Sequence, residues 1–117
     1  MDKYRQLKAW EHCHTLAREV YRATEAFPEE ERFGLAQQLR RAAVSAAANI
    51  AEGQARHGAA EFAHALSVTL GSLAEVSALL ALAVDLGYTS AADAGRLEDL
   101  RSEASRTTFG LQRKLRR

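Results

Sequence analysis

Four neighbouring residues near the start of the chain carry side chains that bind transition metals. Glu11, His12, Cys13 and His14 supply carboxylate, imidazole and thiolate groups, which are ligands of zinc. In an α-helix, however, adjacent residues point about 100° apart, so these side chains cannot converge on one ion. We therefore predict no metal at this cluster and no cofactor.

Cys13 is the only cysteine, so the chain forms no internal disulfide, which fits a reducing cytoplasm. A nucleophilic cysteine needs an exposed thiolate beside an activating base. His14 follows Cys13 but faces another direction, so we predict a thiol packed in the core. The sequence also lacks a glycine-rich phosphate loop, a catalytic aspartate pair and a serine nucleophile motif. We predict that the protein is not an enzyme.

A line of polar side chains is the second chemical feature. Its members recur at steps of three and four residues, beside an apolar line through Leu35, Leu39 and Ile50. The polar line comprises Gln38, Arg41, Ser45, Asn49, Glu52 and Arg56. Because it is short-chained, amide-rich and flanked by alanines, we expect half-buried groups that must find hydrogen-bond partners.

Two interpretations of this polar line remain open. In the first it is a structural network, in which Arg41 and Glu75 form a cross-helix ion pair and Asn49 and Gln38 add amide hydrogen bonds. Such networks fix the register of neighbouring helices. In the second, the line is a site for a ligand or RNA.

Positive charge is concentrated at the C-terminal end, although the net charge is only +1. Residues 106–117 contain no acidic residue and five basic ones, Arg106, Arg113, Lys114, Arg116 and Arg117. This end either complements the negative terminus of a helix or contacts the phosphates of a nucleic acid. Arg40, on the predicted second helix, is a further candidate phosphate contact.

Apolar periodicity predicts four helices, at about 3–25, 34–53, 59–86 and 90–114. Pro28 breaks the helical pattern after the first helix. Gly53 and Gly87 are predicted to end the second and third helices. Ser90 and Asp93 are predicted to cap the start of the fourth helix. Because the connections are short, we predict an all-α, antiparallel, up-down-up-down four-helix bundle that forms a single domain over residues 1–117.

The predicted third helix is apolar on two faces. One face carries Phe62, Leu66, Thr69, Leu73, Val76, Leu80 and Ala83, and the other Ala65, Val68, Ser72, Glu75, Leu79, Leu82 and Leu86. A helix of this kind is buried on both faces, either at the centre of a monomer or against another subunit. Gly71, in the middle of the helix, indicates close approach of another helix.

No segment of the sequence predicts a membrane anchor. The longest apolar run without charge, residues 76–84, is too short to span a bilayer. The first residues lack the apolar core of a signal peptide. We expect a soluble, cytoplasmic protein with no membrane partner.

Several motifs resemble the four-helix-bundle proteins encoded by intervening sequences in bacterial 23S rRNA genes. The similar positions are Phe27-Pro28, Glu31, Gly34-Leu35, Gln38, Arg40-Arg41-Ala42, Ser45, Asn49-Ile50-Ala51-Glu52-Gly53, Arg56, Trp10, Glu61-Phe62, Gly71-Ser72-Leu73 and Glu75. The chain departs from the family at Ala46-Ala47, where members often carry Ile-Pro. Without that proline the second helix should be straighter.

The resemblance implies a bundle that assembles as a ring, commonly a homopentamer. A related protein is an accessory subunit of the reverse transcriptase of diversity-generating retroelements and binds nucleic acid through a basic surface. By this distant analogy the partners would include RNA or DNA and a reverse transcriptase. We therefore expect a non-enzymatic, self-associating bundle with a basic surface for nucleic acid. The alternative is a structural or protein-binding scaffold that binds no nucleic acid.

Overall fold

Four α-helices make up most of the chain, which confirms the all-α prediction. They are α1 (Lys8–Thr24), α2 (Leu35–Ala55), α3 (Ala59–Asp85) and α4 (Ala91–Leu115), with short 3₁₀ turns at Lys3–Gln6 and Glu29–Glu31. The computed structural model describes residues 3–56 and 58–116, and no strand occurs within them. The helices form a body of about 44 × 22 × 22 Å.

Each helix packs against two others, as in a helical bundle. α1 and α3 are each adjacent to both α2 and α4, so α1 lies diagonally across the bundle from α3, and α2 from α4. The most extensive of these interfaces joins α2 and α3. The core between the helices is filled by aliphatic side chains that are fully buried, among them Leu16, Leu39, Ile50, Leu66, Leu73 and Leu97. Each contributes about 1.5–3 kcal/mol to stability by leaving water.

The first helical region is shorter than predicted. Leu7 has an extended backbone (φ −83°, ψ 127°), so the chain forms a separate 3₁₀ turn at Lys3–Gln6 before α1 begins at Lys8. The Leu7 amide donates to the carbonyl of Tyr4 at 3.0 Å, which closes this turn. The turn packs on both α1 and α2. A continuous helix from Lys3 to Glu25 was therefore the wrong prediction.

Gly53 does not close α2, contrary to the prediction. The helix continues through it to Ala55, and the glycines with positive φ are Gly58 and Gly87. Gly53 instead allows α3 to approach, since a Cβ there would lie 2.5 Å from Ala65 Cβ and 3.1 Å from Phe62 Cδ1. The sequence pattern correctly indicated a structural role for Gly53, but the role is close packing against α3 and not the end of α2.

Gly71 also differs from the prediction. A Cβ at Gly71 would meet no atom within 4 Å, so no helix of the same chain approaches it. The end of α3 is as predicted: Gly87 has φ +76° and the amide of Tyr88 donates to the Ala83 carbonyl at 2.9 Å. The predicted cap of α4 is likewise confirmed, because Ser90 Oγ accepts a hydrogen bond from the Asp93 amide at 3.0 Å.

The start of α2 is capped by a carboxylate that also reaches the α3–α4 connection. Glu31 Oε1 accepts a hydrogen bond from the Leu35 amide, and Oε2 accepts one from the Tyr88 hydroxyl, both at 2.9 Å. These two donors lower the pKa of Glu31. The Tyr88 ring also packs on Phe27 at a centroid distance of 5.6 Å. Glu31 and Phe27 together tie the α1–α2 connection to that between α3 and α4.

Residues 76–84 alone are too short to span a bilayer, but the whole of α3 is not. By length and composition, Ala59–Asp85 is long and apolar enough to cross a bilayer. Core helices of soluble proteins pass the same test. One face of α3 is indeed core, since all members of the first predicted line are buried except Phe62, which packs against the core.

Candidate functional site

The centre of the predicted polar line forms a short hydrogen-bonded link between α2 and α3. Asn49 Nδ2 donates to the carbonyl oxygen of Ser45 at 2.8 Å and to its Oγ at 3.1 Å. Ser72 Oγ of α3 lies 3.2 Å from Ser45 Oγ and completes the link. All three residues are at least half-buried, as expected for polar groups that need partners.

The rest of the line is exposed and does not extend this link. Arg56 Nη2 pairs with Glu52 Oε1 at 2.6 Å, within α2. Gln38, Arg41 and Glu75 are exposed, and the predicted ion pair between Arg41 and Glu75 is not formed. Side chains that are both solvated gain little from pairing, because water screens their attraction. The sequence-based network was therefore too large.

A cleft of about 520 Å³ opens beside the link, between the end of α2 and the start of α3. It is lined by Asn49, Glu52, Arg56, Ala60, Glu61, His64, Ala65 and Val68. Charges of both signs and one exposed imidazole surround it, with no nucleophile beside a base among these residues. The cleft opens on the outward side of these two helices. We call this surface, formed by the cleft and the exposed side chains of Val68, Leu82 and Leu86, the α2–α3 face.

The second apolar line of α3 lies largely on the outside of the chain. Val68 is 40% exposed, Leu82 45% and Leu86 50%, while Leu79 is half-buried against the core. Of the most apolar 18-residue stretch of α3, only 28% is buried within the chain. Exposed apolar surface of this kind is typical of interaction sites.

The predicted basic residues do not form one surface. Arg113, Lys114 and Arg116 are exposed around the end of α4 and have no acidic partner among the residues described. Arg117 lies outside the described residues. Arg106 is paired with Glu103 within α4.

Arg40 belongs to the other end of the bundle. Its Nε donates to Thr24 Oγ1 at 2.7 Å and its Nη2 to the Tyr21 carbonyl at 3.3 Å, so it lies beside the end of α1. The end of α4 instead contacts the start of α3, where Gln112 Nε2 donates to the Ala63 carbonyl at 2.8 Å. Arg40 is therefore separate from the basic residues at the end of α4, and its contact with phosphate stays a prediction.

The side chains of the Glu11–His14 segment diverge. Cys13 is fully buried, and burial raises the pKa of its thiol to about 12 despite a smaller opposing effect of the Thr108 hydroxyl. His12 Nε2 lies 3.9 Å from Glu103 Oε1, and the His14 ring stacks on Trp10 at 4.6 Å. Within residues 3–56 and 58–116, no three histidine, cysteine or acidic side chains are placed to hold a metal.

Two features were not predicted. Gln112 is buried and bonds Ser67 Oγ at 2.6 Å as well as the Ala63 carbonyl. Its position four residues after the inward Thr108 was a signal that could have found it. A group of exposed aromatic and arginine side chains also lies near Arg40, but it joins residues from two helices and a turn, which periodicity does not bring together.

Four packed helices with an exposed apolar face define the class, an all-α bundle protein. Over residues 5–110 the chain matches the family of the 23S rRNA-intervening sequence protein, and it belongs to that family.

The fold is also found among solved structures. A protein of unknown function from the S23 ribosomal protein family of Bacteroides thetaiotaomicron VPI-5482 is similar in structure, with a TM-score of 0.78 and 19% sequence identity. The match covers 88% of this chain and 96% of that one. At this identity it supports the fold alone. No curated protein matches the chain.

Proposed function

We propose that this chain is a non-enzymatic helical scaffold that associates with copies of itself through the α2–α3 face. The observation that supports this most is the exposure of Val68, Leu82 and Leu86 on a helix whose other apolar line is buried except at Phe62. Completing the burial of each such side chain would contribute about 1 kcal/mol. The neighbouring cleft and its polar groups would supply the hydrogen bonds of the interface rim.

We further propose that the helices run antiparallel, up-down-up-down. Two contacts between α2 and α3 support this. Thr69 Oγ1 donates to the Ala46 carbonyl at 2.9 Å. Gly53, which comes later in α2 than Ala46, lies against Phe62 and Ala65, which come earlier in α3 than Thr69, so the two helices run in opposite directions. The same reversal relates α3 to α4. Ser77 contacts Glu98, and the earlier residue Ala63 contacts the later Gln112.

For the number of subunits we propose five, on the resemblance alone. A homopentameric ring would use two different patches of each chain, repeated around a closed circle. The exposed stripe of α3 would then contact the neighbouring copy along the length of the helix. We place this assembly in the cytoplasm, where a lone buried thiol is kept reduced.

Charge insertion at Leu82 tests the proposal. Leu82→Glu should convert the assembly into monomers, measured by light scattering after size exclusion, because a buried carboxylate without a partner is costly. Ser102→Glu, on the exposed side of α4, should leave the mass unchanged. A wild-type chain that is already monomeric at micromolar concentration would overturn the proposal. Binding of that monomer to lipid vesicles would assign the apolar face to a membrane instead.

A second proposed function is binding of RNA or DNA through the basic end of α4. Arg113, Lys114 and Arg116 are exposed without acidic partners, and the Arg113 guanidinium lies 6.0 Å from the Phe109 ring centroid. In a ring these charges would be repeated in each subunit, which strengthens binding to a long polyanion. By distant analogy with the retroelement accessory protein, a reverse transcriptase would be a protein partner.

Salt dependence tests this second proposal. RNA or DNA affinity should fall steeply between low and moderate salt, and should fall again when the three exposed bases are replaced by glutamine. The triple variant should keep its helical content and oligomeric mass, which serve as controls. No binding at low salt would leave the alternative, a structural or protein-binding scaffold without nucleic acid.

A further inference from the structure

The groove between the end of α1 and the start of α2 carries two exposed aromatic rings among arginines. Phe33 is 79% exposed and Tyr21 45%. The Arg32 guanidinium carbon lies 5.3 Å from the Phe33 ring centroid, and that of Arg40 lies 4.6 Å from the Tyr21 centroid. With Gln37 and Arg41 these residues line an open depression of about 300 Å³, which we call the aromatic–arginine patch.

Phe33 has no evident role in folding. It directly precedes Gly34, the residue before the first turn of α2. An apolar residue at this position often packs on the fourth helical residue as a hydrophobic staple, but that residue here is Gln38, which is itself exposed. Among the large apolar residues described, none is more exposed than Phe33. A ring left in water next to cations is suited to a planar ligand.

The three arginines are available in different ways. Arg40 is held by its hydrogen bonds to Thr24 Oγ1 and the Tyr21 carbonyl, so its guanidinium is preorganised. Arg41 has neither an ion pair nor a hydrogen bond within the described chain. Arg32 pairs with Glu29 at 3.4 Å, but both side chains are mostly exposed, so an anionic ligand could replace the glutamate at small cost.

We infer that the aromatic–arginine patch binds single-stranded nucleic acid. A base stacks on the Phe33 ring, while Arg40 and Arg41 contact the adjoining phosphates. Stacking on an aromatic side chain beside a positively charged groove is the general mode of single-strand binding. An acidic peptide would use the guanidinium groups but would leave the phenyl ring in water. A duplex hides the faces of its bases and so could not use Phe33.

This inference goes beyond the basic end of α4. The patch and that end share no residue and lie at opposite ends of the bundle, because Arg40 is beside the end of α1 and Gln112 beside the start of α3. Nucleic-acid binding at one site can therefore be disproved without disproving binding at the other. Testing the patch in a chain with Arg113, Lys114 and Arg116 replaced by glutamine removes the contribution of the other site.

The experiment measures binding of a fluorescent single-stranded oligouridylate to that triple variant by anisotropy at low salt. Adding Phe33→Ala should weaken binding about tenfold, in line with the loss of one stacked base. Phe33→Leu, which keeps the apolar surface but removes the ring, should weaken it similarly. Arg41→Gln should also weaken binding, while the control Arg18→Gln, at an exposed arginine on α1, should not.

Three results would overturn the inference. The first is an absence of oligouridylate binding by the triple variant, and the second is unchanged affinity after Phe33→Ala. The third is equal affinity for a duplex of the same length. If Phe33→Ala changes the sedimentation of the protein but not its affinity for the oligonucleotide, the patch is a contact between copies of the chain. Circular dichroism of each variant checks that the helices remain intact.

Discussion

Replacing Gly53 with alanine tests the contact that brings α2 and α3 together. The added methyl group would lie 2.5 Å from Ala65 Cβ and 3.1 Å from Phe62 Cδ1. The nearer atom is attached directly to the backbone of α3, so it cannot swing aside as the end of a long side chain could. To bring even a 3.0 Å separation between the new Cβ and Ala65 Cβ, the two helices must move apart by about half an ångström.

Two effects of opposite sign determine the change in the free energy of unfolding. Alanine is favoured over glycine inside a helix by about 1 kcal/mol. Overpacking a tight contact costs about 1–3 kcal/mol. The upper half of that range applies here, because separating α2 from α3 also strains the bond from Thr69 Oγ1 to the Ala46 carbonyl. We expect Gly53→Ala to destabilise the protein by about 1–2 kcal/mol.

Urea unfolding followed by circular dichroism, at one fixed protein concentration, measures this change. The matched control is Gly95→Ala in α4, where the new methyl would meet no atom within 4 Å. That substitution should stabilise the protein by about 0.5–1 kcal/mol, because only helix propensity changes. The reasoning is refuted if Gly53→Ala is as stable as the wild type or more stable.

Three further predictions concern buried or capping groups. Cys13, whose pKa burial raises to about 12, should react with a thiol reagent at neutral pH only after unfolding; rapid labelling of the folded protein would contradict this. Glu31→Gln should lower the melting temperature at neutral pH. Because the folded-state pKa of Glu31 is lowered, its stabilising effect is present above the unfolded value of roughly 4.3 and is lost as the pH falls through the folded value. The gap between Glu31→Gln and wild type should therefore narrow in acid, and a constant gap would argue against the cap. Gln112→Ala should cost about 1–3 kcal/mol in urea unfolding through its lost buried hydrogen bonds, whereas the exposed Arg113→Ala should cost little; equal effects would contradict the buried role.

The helices and their inward faces could be predicted because they depend on local periodicity. Burial of Leu66, Leu73 and Val76 on α3 follows from their spacing, and the cap at Ser90 follows from local chemistry. Gly53 was misassigned because a glycine that ends a helix and one that admits a neighbouring helix look alike in sequence. The neighbour that distinguishes the two roles, Ala65, comes from another helix.

The candidate sites were harder to predict, because they depend on which helices are adjacent and on rotation about their axes. Arg41 and Glu75 fit an ion pair by type, yet each is exposed and solvated. Arg40 and Arg113 fit one basic surface by charge, yet they lie at opposite ends of the bundle. Tyr21 and Phe33 are brought together by a turn that contains Pro28, and no repeat in the sequence relates them.

Self-association through the exposed stripe of α3 is the central claim, and sedimentation equilibrium of the wild-type chain tests it most directly. A mass that is a multiple of the 12.8 kDa chain, fivefold if the resemblance holds, is the predicted result over a range of micromolar concentrations. A single species of 12.8 kDa throughout that range would contradict it, since Leu82 and Leu86 would then remain in water.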